Sequence, residues 1–385
     1  MREAQHLSQA QLAALTGAQP WKISRPVISS IERGEHLPSF EALIALSRVL
    51  HFDPMEVLER AEHAATAPLD LTGHSLEDLR LQARDLALAG SYREALALYD
   101  AMLERLVLDP PQDDAELRRQ QADIELRRSG ALGRCGALLS AEAAAKRSVS
   151  LGQDFPEIQS FAYAILAKIQ VQRGYLPLAR DHAQRSVELA RGSAPEVRGR
   201  ALLELGEIHY VTGEFERATE VFLESRELLA EGGDSRHASH VEGNVGLCWA
   251  ARKDLPKARA WFRRALELAR KETLPILEAR WLTELGKVAL TEKKKDEADR
   301  YALAALAIAR PREHWLTIFR AEWLRHRIAT HGVGKEDALK MDKPRLTRMR
   351  KLMVHLADHK GEPEIGEFET LVGGESASDT KRRRR

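Results

Sequence analysis

Two cysteines and fourteen histidines are the side chains from which catalysis or metal binding would be built. Cys135 and Cys248 stand far apart, without a Cys-x-x-Cys pair or the ordered His and Cys spacing of a zinc site, so both read as small core residues. His237 and His240 share a helical face, but two histidines without a third ligand do not make a metal centre. No metal and no cofactor are therefore expected. The phosphate-binding GxxxxGK followed by Ser or Thr is missing, as are the zinc-protease HExxH and a GxSxG elbow in a strand-turn-helix setting. The chain reads as a binding protein and not as an enzyme. Its longest block of like charge is the terminal KRRRR, behind a polar GGESASDT. That run reads either as a solvated end or as a weak, sequence-blind attraction to DNA phosphates.

The elements that must position any recognition site are helical. Aromatics make up only 5% of the 385 residues, while Ala, Leu, Glu and Arg dominate, and no convincing strand is present. A 44% apolar and 30% charged composition suits a soluble globular protein, and the net charge of +1 neither favours nor opposes nucleic acid. No apolar run reaches the roughly 18 residues that span a bilayer, and MREAQHLSQ lacks a secretory apolar segment. A cytoplasmic protein with no membrane partner is expected.

The first sixty residues carry explicit helix punctuation. Ser8 with Gln11 three residues on makes a capping box for a helix of about 8 to 15, which Gly17 ends. Ser24 caps a second helix that tolerates Pro26 in its first turn, carries Val27, Ile28 and Ile31 inward, and closes at Gly34. Pro38 and Ser39 start a third, with Leu43, Leu46 and Leu50 on one face; Asp53, Pro54 and Glu56 start a fourth. LSQAQLA, ISSIERG, LPSFEALIALSRVL and DPMEVL, in that order and spacing, resemble the Xre-type, lambda-repressor-like helix-turn-helix domain.

The resemblance implies that the second helix lies in the DNA major groove with its N-terminal residues on base edges. It places Arg25, Pro26 and Ser30 at base-facing positions with Ser29 beside them, Gln9 on a phosphate and Arg33 near the backbone. An Arg25 fork matches the O6 and N7 acceptors of guanine, whereas Pro26 offers only apolar contact. The chain departs from the family in a short first helix and an enlarged turn, AQPWKI. Trp21 there either covers the short helix or touches DNA or a partner, and Lys22 either contacts a phosphate or is simply solvated.

From residue 76 a second pattern repeats: a small residue, a glycine, an aromatic or apolar residue two later, alanine three further on, and an aromatic four after that. Gly206, Gly213, Phe215, Ala218 and Phe222 show it, and Gly206, Gly246 and Gly286 are spaced by 40 residues. Copies starting at Ala167, Ser129 and Ala83 extend it backwards. The pattern resembles the tetratricopeptide repeat in a long-looped form, six units over 76–310, each unit two antiparallel helices stable only when stacked. Beyond Pro311, EHWLTIFRAEWLRHRIAT and KPRLTRMRKLMVHLADHK read as terminal helices. Leu346, Met349, Leu352, Met353 and Leu356 form an apolar face there, opposite Arg345, Arg348 and Lys351, that either caps the array or pairs two subunits.

The expected architecture is thus all-α: a small helix-turn-helix domain (1–62), a linker (63–75), a tetratricopeptide-like helical solenoid (76–310), capping or dimerisation helices (311–360) and a disordered, basic-ended tail (361–385). In such arrays the first helix of each pair lines the concave side. That places Arg134, Lys168, Arg200, Glu207, Tyr210, His240, Asn244, Arg280 and Lys287 on a mostly basic groove, suited to an acidic or carboxylate-ended peptide whose main chain Asn244 would bond. The combination resembles bacterial helix-turn-helix and tetratricopeptide regulators, implying a homodimeric transcription factor that binds double-stranded DNA and an effector peptide or protein. The alternative is an interaction scaffold whose helix-turn-helix serves docking or autoregulation.

Overall fold

The computed structural model describes residues 2, 7–17, 22–33, 35–36, 38–52, 54, 57, 74–89, 91–135, 137–359 and 363–382. Every element among them is helical. The N-terminal unit holds α1 (Gln9–Thr16), α2 (Arg25–Glu32) and α3 (Phe40–Leu50). The Ser8 hydroxyl accepts from the Gln11 amide at 3.2 Å while the Ser8 amide donates to Gln11 Oε1 at 2.8 Å, so two otherwise orphaned donors are satisfied reciprocally. Ser39 caps α3 by accepting from the Ala42 amide at 3.2 Å. Leu12, Ile23, Ile28, Ala45, Leu46 and Leu50 form the small core.

Two expectations change here. Val27 is 44% exposed: Ile28 and Ile31, three apart, define the inward stripe of α2, and Val27 falls about 100° away from Ile28 on a helix of 3.6 residues per turn. Ser24 sits at the cap position in an extended conformation, but its side chain makes no capping bond. The enlarged turn is tied at its ends, where Thr16 Oγ1 accepts from the buried Ile23 amide at 3.4 Å. Trp21, Gly34 and most of the linker and of the fourth-helix signal lie outside the described residues; Pro54 and Val57 are helical.

The array comprises α4 (Leu76–Ala89) with α5 (Tyr92–Leu108), α6 (Asp114–Arg134) with α7 (Leu138–Leu151), α8 (Pro156–Gln172) with α9 (Leu176–Ala190), α10 (Pro195–Val211) with α11 (Phe215–Glu231), α12 (Ser235–Ala251) with α13 (Leu255–Lys271), and α14 (Pro275–Thr291) with α15 (Lys295–Ala309). Those are the six expected pairs. The glycines explain the repeat signature sterically: a Cβ at Gly206 would lie 2.5 Å from Phe222 and one at Gly246 2.7 Å from Phe262. A hydroxyl also stitches each of several pairs: Ser148 donates to Ala122 O (2.9 Å), Ser160 to Ser186 O (3.0 Å), and Ser239 to Ala265 O (3.0 Å). The turns have their own metre. Residues 213, 233, 253, 273 and 293 all adopt positive φ, filled by glycine at the first two and by Lys253, Thr273 and Lys293 at the rest.

After a 3-10 turn (Arg310–Arg312) come α16 (Trp315–Ala329), α17 (Lys335–Met341), α18 (Lys343–Leu352), a 3-10 stretch (Met353–His359) and α19 (Pro363–Arg382). Leu346, Met349 and Leu356 are buried in one cluster with Phe319 and Trp323 of α16. Arg345 is not on the open side: it lies between Glu322 (3.1 Å) and Asp342. The stretch read as a disordered tail is helical from Pro363, because Ile365 and Phe368 are fully buried in the same cluster. Among the described residues, no helix is long and apolar enough to cross a membrane.

Candidate functional site

On α2 the inward Ile28 fixes which side faces out. Lys22, Arg25 and Pro26 are exposed, as is Val27, while Ser29 and Ser30 are half-buried. Neither Lys22 nor Arg25 has a bonding partner among the described residues. The other predicted contacts are engaged within the domain. Gln9 donates to Glu32 Oε2 at 2.7 Å, and Arg2 grips the same carboxylate at 2.5 Å; the Arg2 hydrogen bond holds Glu32 below the usual carboxylate range. Arg33 makes a two-pronged bond to Glu35 (2.6 and 2.8 Å) and donates to the Ser29 hydroxyl. Ser30 donates to its own helix at Val27 O (3.0 Å). The first turn of α2 is therefore open for contact, and its last turn is neutralised by acids.

In the array the first helices converge. A cavity of about 1230 Å³ runs along α4, α6, α8 and α10 to His237 at the start of α12. Its wall alternates apolar surface (Phe155, Phe161, Ile165) with charge (Arg119, Lys168, Arg200). Arg119 and Arg200 lie over the Phe155 and Phe161 rings at 5.9 and 5.7 Å, within cation–π range.

The inner face is of mixed sign, not mostly basic. Lys168 Nζ lies 2.7 Å from Glu204 Oε1, and Glu207 Oε1 accepts from Asn244 at 3.1 Å with His240 Nε2 3.6 Å away. Arg280 in turn reaches His240 Nε2 at 2.7 Å. Burial together with the neighbouring Glu207 charge pushes the Glu204 carboxyl up to about 7 despite Lys168. His240 is held well below its ordinary value by burial first, and then by Arg280, Lys168, His237 and Arg134. The charges of Arg134, Lys168 and Arg280 thus act on one imidazole from α6, α8 and α14. Tyr210 belongs to the same field: burial raises its hydroxyl, and Glu284, Lys287 and Arg280 act on it from two units away.

Three predicted residues have other employment. Arg200 is paired with Asp234 (2.7 Å), which also holds His237 at 2.8 Å. Lys287 lies between Glu284 (2.8 Å) and Glu364 of α19 (2.5 Å). Asn244 is 4% exposed and spends its amide on Glu207. The residues sequence reasoning missed are Glu204 and Glu284, and one signal was available: each stands three residues before a predicted groove position and so shares its helical face. Among the described residues, no cluster of three His, Cys, Asp or Glu side chains is arranged to hold a metal.

Comparison with known proteins places these features in families. Residues 1–57 match the helix-turn-helix family model and residues 197–271 the tetratricopeptide repeat model. No curated protein matches the chain in sequence. Among solved structures, aspartyl phosphate phosphatase F from Bacillus subtilis is similar at 14% identity, over 82% of this chain and 83% of its own, with a TM-score of 0.53. A signal transduction ATPase with numerous domains and a tetratricopeptide repeat sensor, from Pyrococcus horikoshii, is similar at 16% identity, over 96% of this chain and 61% of its own, with a TM-score of 0.50. At such identities the likeness is one of fold. This chain joins an N-terminal Xre-like helix-turn-helix to a C-terminal tetratricopeptide solenoid.

Proposed function

We propose that the chain is a sequence-specific DNA-binding regulator whose repeat array takes an effector, a peptide or a protein segment, in its inner groove. The observation that carries the DNA reading is the division of α2: Ile28 is 2% exposed in the core while Arg25, Pro26 and Val27 face solvent at its N-terminal turn. A first turn so placed offers a guanidinium fork and apolar surface to base edges. The groove supports the effector reading by its size and its alternation of rings and charges. Arg119 lies over the Phe155 ring in the cavity wall with no carboxylate partner among the described residues, so it is the lining cation that suits an acidic or carboxylate-ended ligand.

Two reading heads held by paired arrays match half-sites about 34–36 Å apart, one turn of DNA. An effector that prefers one array curvature changes the head spacing, and with it the DNA affinity, only by its differential affinity for the two states. Selection of bound sequences from a random DNA pool, with and without cell extract, tests site, symmetry and effector response together. An enriched two-fold site that changes on adding extract supports the reading. Failure of any site to enrich at physiological salt, with a protein co-purifying, would assign the chain to the scaffold class.

A further inference from the structure

The far end of the inner face is filled by the chain itself. Arg320 and Arg327 on α16 stand forty residues after Arg280 and Lys287, so they occupy the same register positions one unit further on. The C-terminal helix α19 lies on these positions. Glu364 meets Lys287 at 2.5 Å and Arg320 at 3.6 Å; Glu367 accepts from the Trp323 indole at 2.9 Å and lies 4.0 Å from Arg327. Lys335 donates to Thr370 O at 2.9 Å. Between the acids, Phe368 packs edge-on against Phe319 (5.4 Å) and Trp323 (6.0 Å), with Ile365 buried beside it. Acids and apolar residues at i, i+1, i+3 and i+4 are the pattern of an amphipathic helix bound in a groove.

We propose that the inner face of α14 and α16 is a docking groove for an acidic amphipathic helix of a partner protein, and that α19 is its tethered, displaceable occupant.

Three features favour a removable occupant over a permanent cap. Lys287 keeps Glu284 at 2.8 Å when Glu364 leaves, so its ammonium is not stranded without a carboxylate. Glycines at 366, 373 and 374 each weaken a helix relative to alanine, so α19 depends on docking for its helicity. Among the described residues, its hydrogen bonds, ion pairs and ring contacts shown here fall on Glu364, Glu367, Phe368 and the backbone of Thr370, one short patch. A tether supplies an effective concentration in the millimolar range, so a partner has to bind well to displace it. The inference stands on the register of the inner face and does not depend on DNA reading.

The probe is a fluorescein-labelled synthetic peptide of residues 361–376, titrated by anisotropy into the full chain. In wild type the groove is occupied and binding is weak. Glu364→Gln with Phe368→Ala should bind at least tenfold more tightly, and adding Lys287→Glu should abolish the gain. Gly366→Ala, where an added Cβ meets nothing within 4 Å, should stiffen α19 and exclude the probe further. Equal affinity across these chains would overturn the proposal. Hydrogen exchange on unmodified protein decides independently: amides of 363–372 should exchange faster than those of 315–329, and equal protection would make α19 a permanent cap.

Discussion

The indole of Trp281 lies against the backbone of Gly243, so close that a Cβ at residue 243 would fall 2.2 Å from the ring. Trp281 is fully buried, stacks on Phe262 at 6.3 Å and donates to the Ser239 hydroxyl at 3.3 Å. The ring therefore holds α12, α13 and α14 together and cannot retreat. Gly243→Ala should destabilise the array by about 1–3 kcal/mol, the usual cost of overpacking a full core. Gly133→Ala, where nothing lies within 4 Å, should be neutral or stabilising by up to about 1 kcal/mol. Chemical denaturation of the two variants gives both values, and a neutral Gly243→Ala would contradict the packing.

Thr273 carries a β-branched side chain at φ 54°, in a turn position that glycine fills at residues 213 and 233. Left-handed backbone costs a non-glycine residue about 1–2 kcal/mol, partly offset by the looser unfolded chain that glycine brings. Thr273→Gly should therefore stabilise by about 0.5–1 kcal/mol, read as a rise in melting temperature. The same change at exposed Thr347, inside α18, should lower it.

Arg25→Ala should cost about 1–3 kcal/mol of specific DNA binding and relax one base preference, without altering the melting temperature. Ile28→Ala should do the reverse at first sight, lowering stability by about 2–5 kcal/mol, because its side chain is in the domain core. Binding isotherms and melts on both variants separate reading from folding.

Glu204 titrates near 7 in the folded chain and near 4.5 when unfolded. The folded state keeps a proton that the unfolded state has lost, so this group's stabilising contribution is present below pH 4.5 and disappears as pH rises through 7. His240, depressed by burial and its cationic neighbours, acts in the opposite sense, adding stability as pH rises toward 6.5. Comparing Glu204→Gln with wild type cancels the histidine contribution. The variant should melt higher at pH 8, with the gap closing toward pH 5.

Cys248 is fully buried and burial pushes its thiol up to about 11, whereas Cys135 is half-buried. A thiol reagent at pH 7.5 should modify Cys135 first and reach Cys248 only on unfolding. Mass spectrometry of the labelled chain checks the order.

What was legible in the sequence is what local chemistry decides. The Ser8 and Gln11 box, the Ser39 cap and the forty-residue metre each rest on neighbours within a turn or on repetition, and all appear in the structure. What was hidden depends on phase or on distant segments. Val27 faces out because the inward stripe of α2 is narrower than a run of three apolar residues suggests. The carboxylate opposite Lys168 comes from another helix, and Glu364, opposite Lys287, comes from a segment whose polar composition masked Ile365 and Phe368. A groove's charge is set by the sum over facing helices, which no single helix reveals.

The bond between Thr16 and Ile23 has a practical side. Because the two residues close the enlarged turn at its base, whatever is spliced between them leaves α1 and α2 where they are, at a closure cost that grows only with the logarithm of loop length. The turn is a ready attachment point for a fluorophore or an affinity handle beside α2, where a reporter would register the DNA binding proposed for that helix.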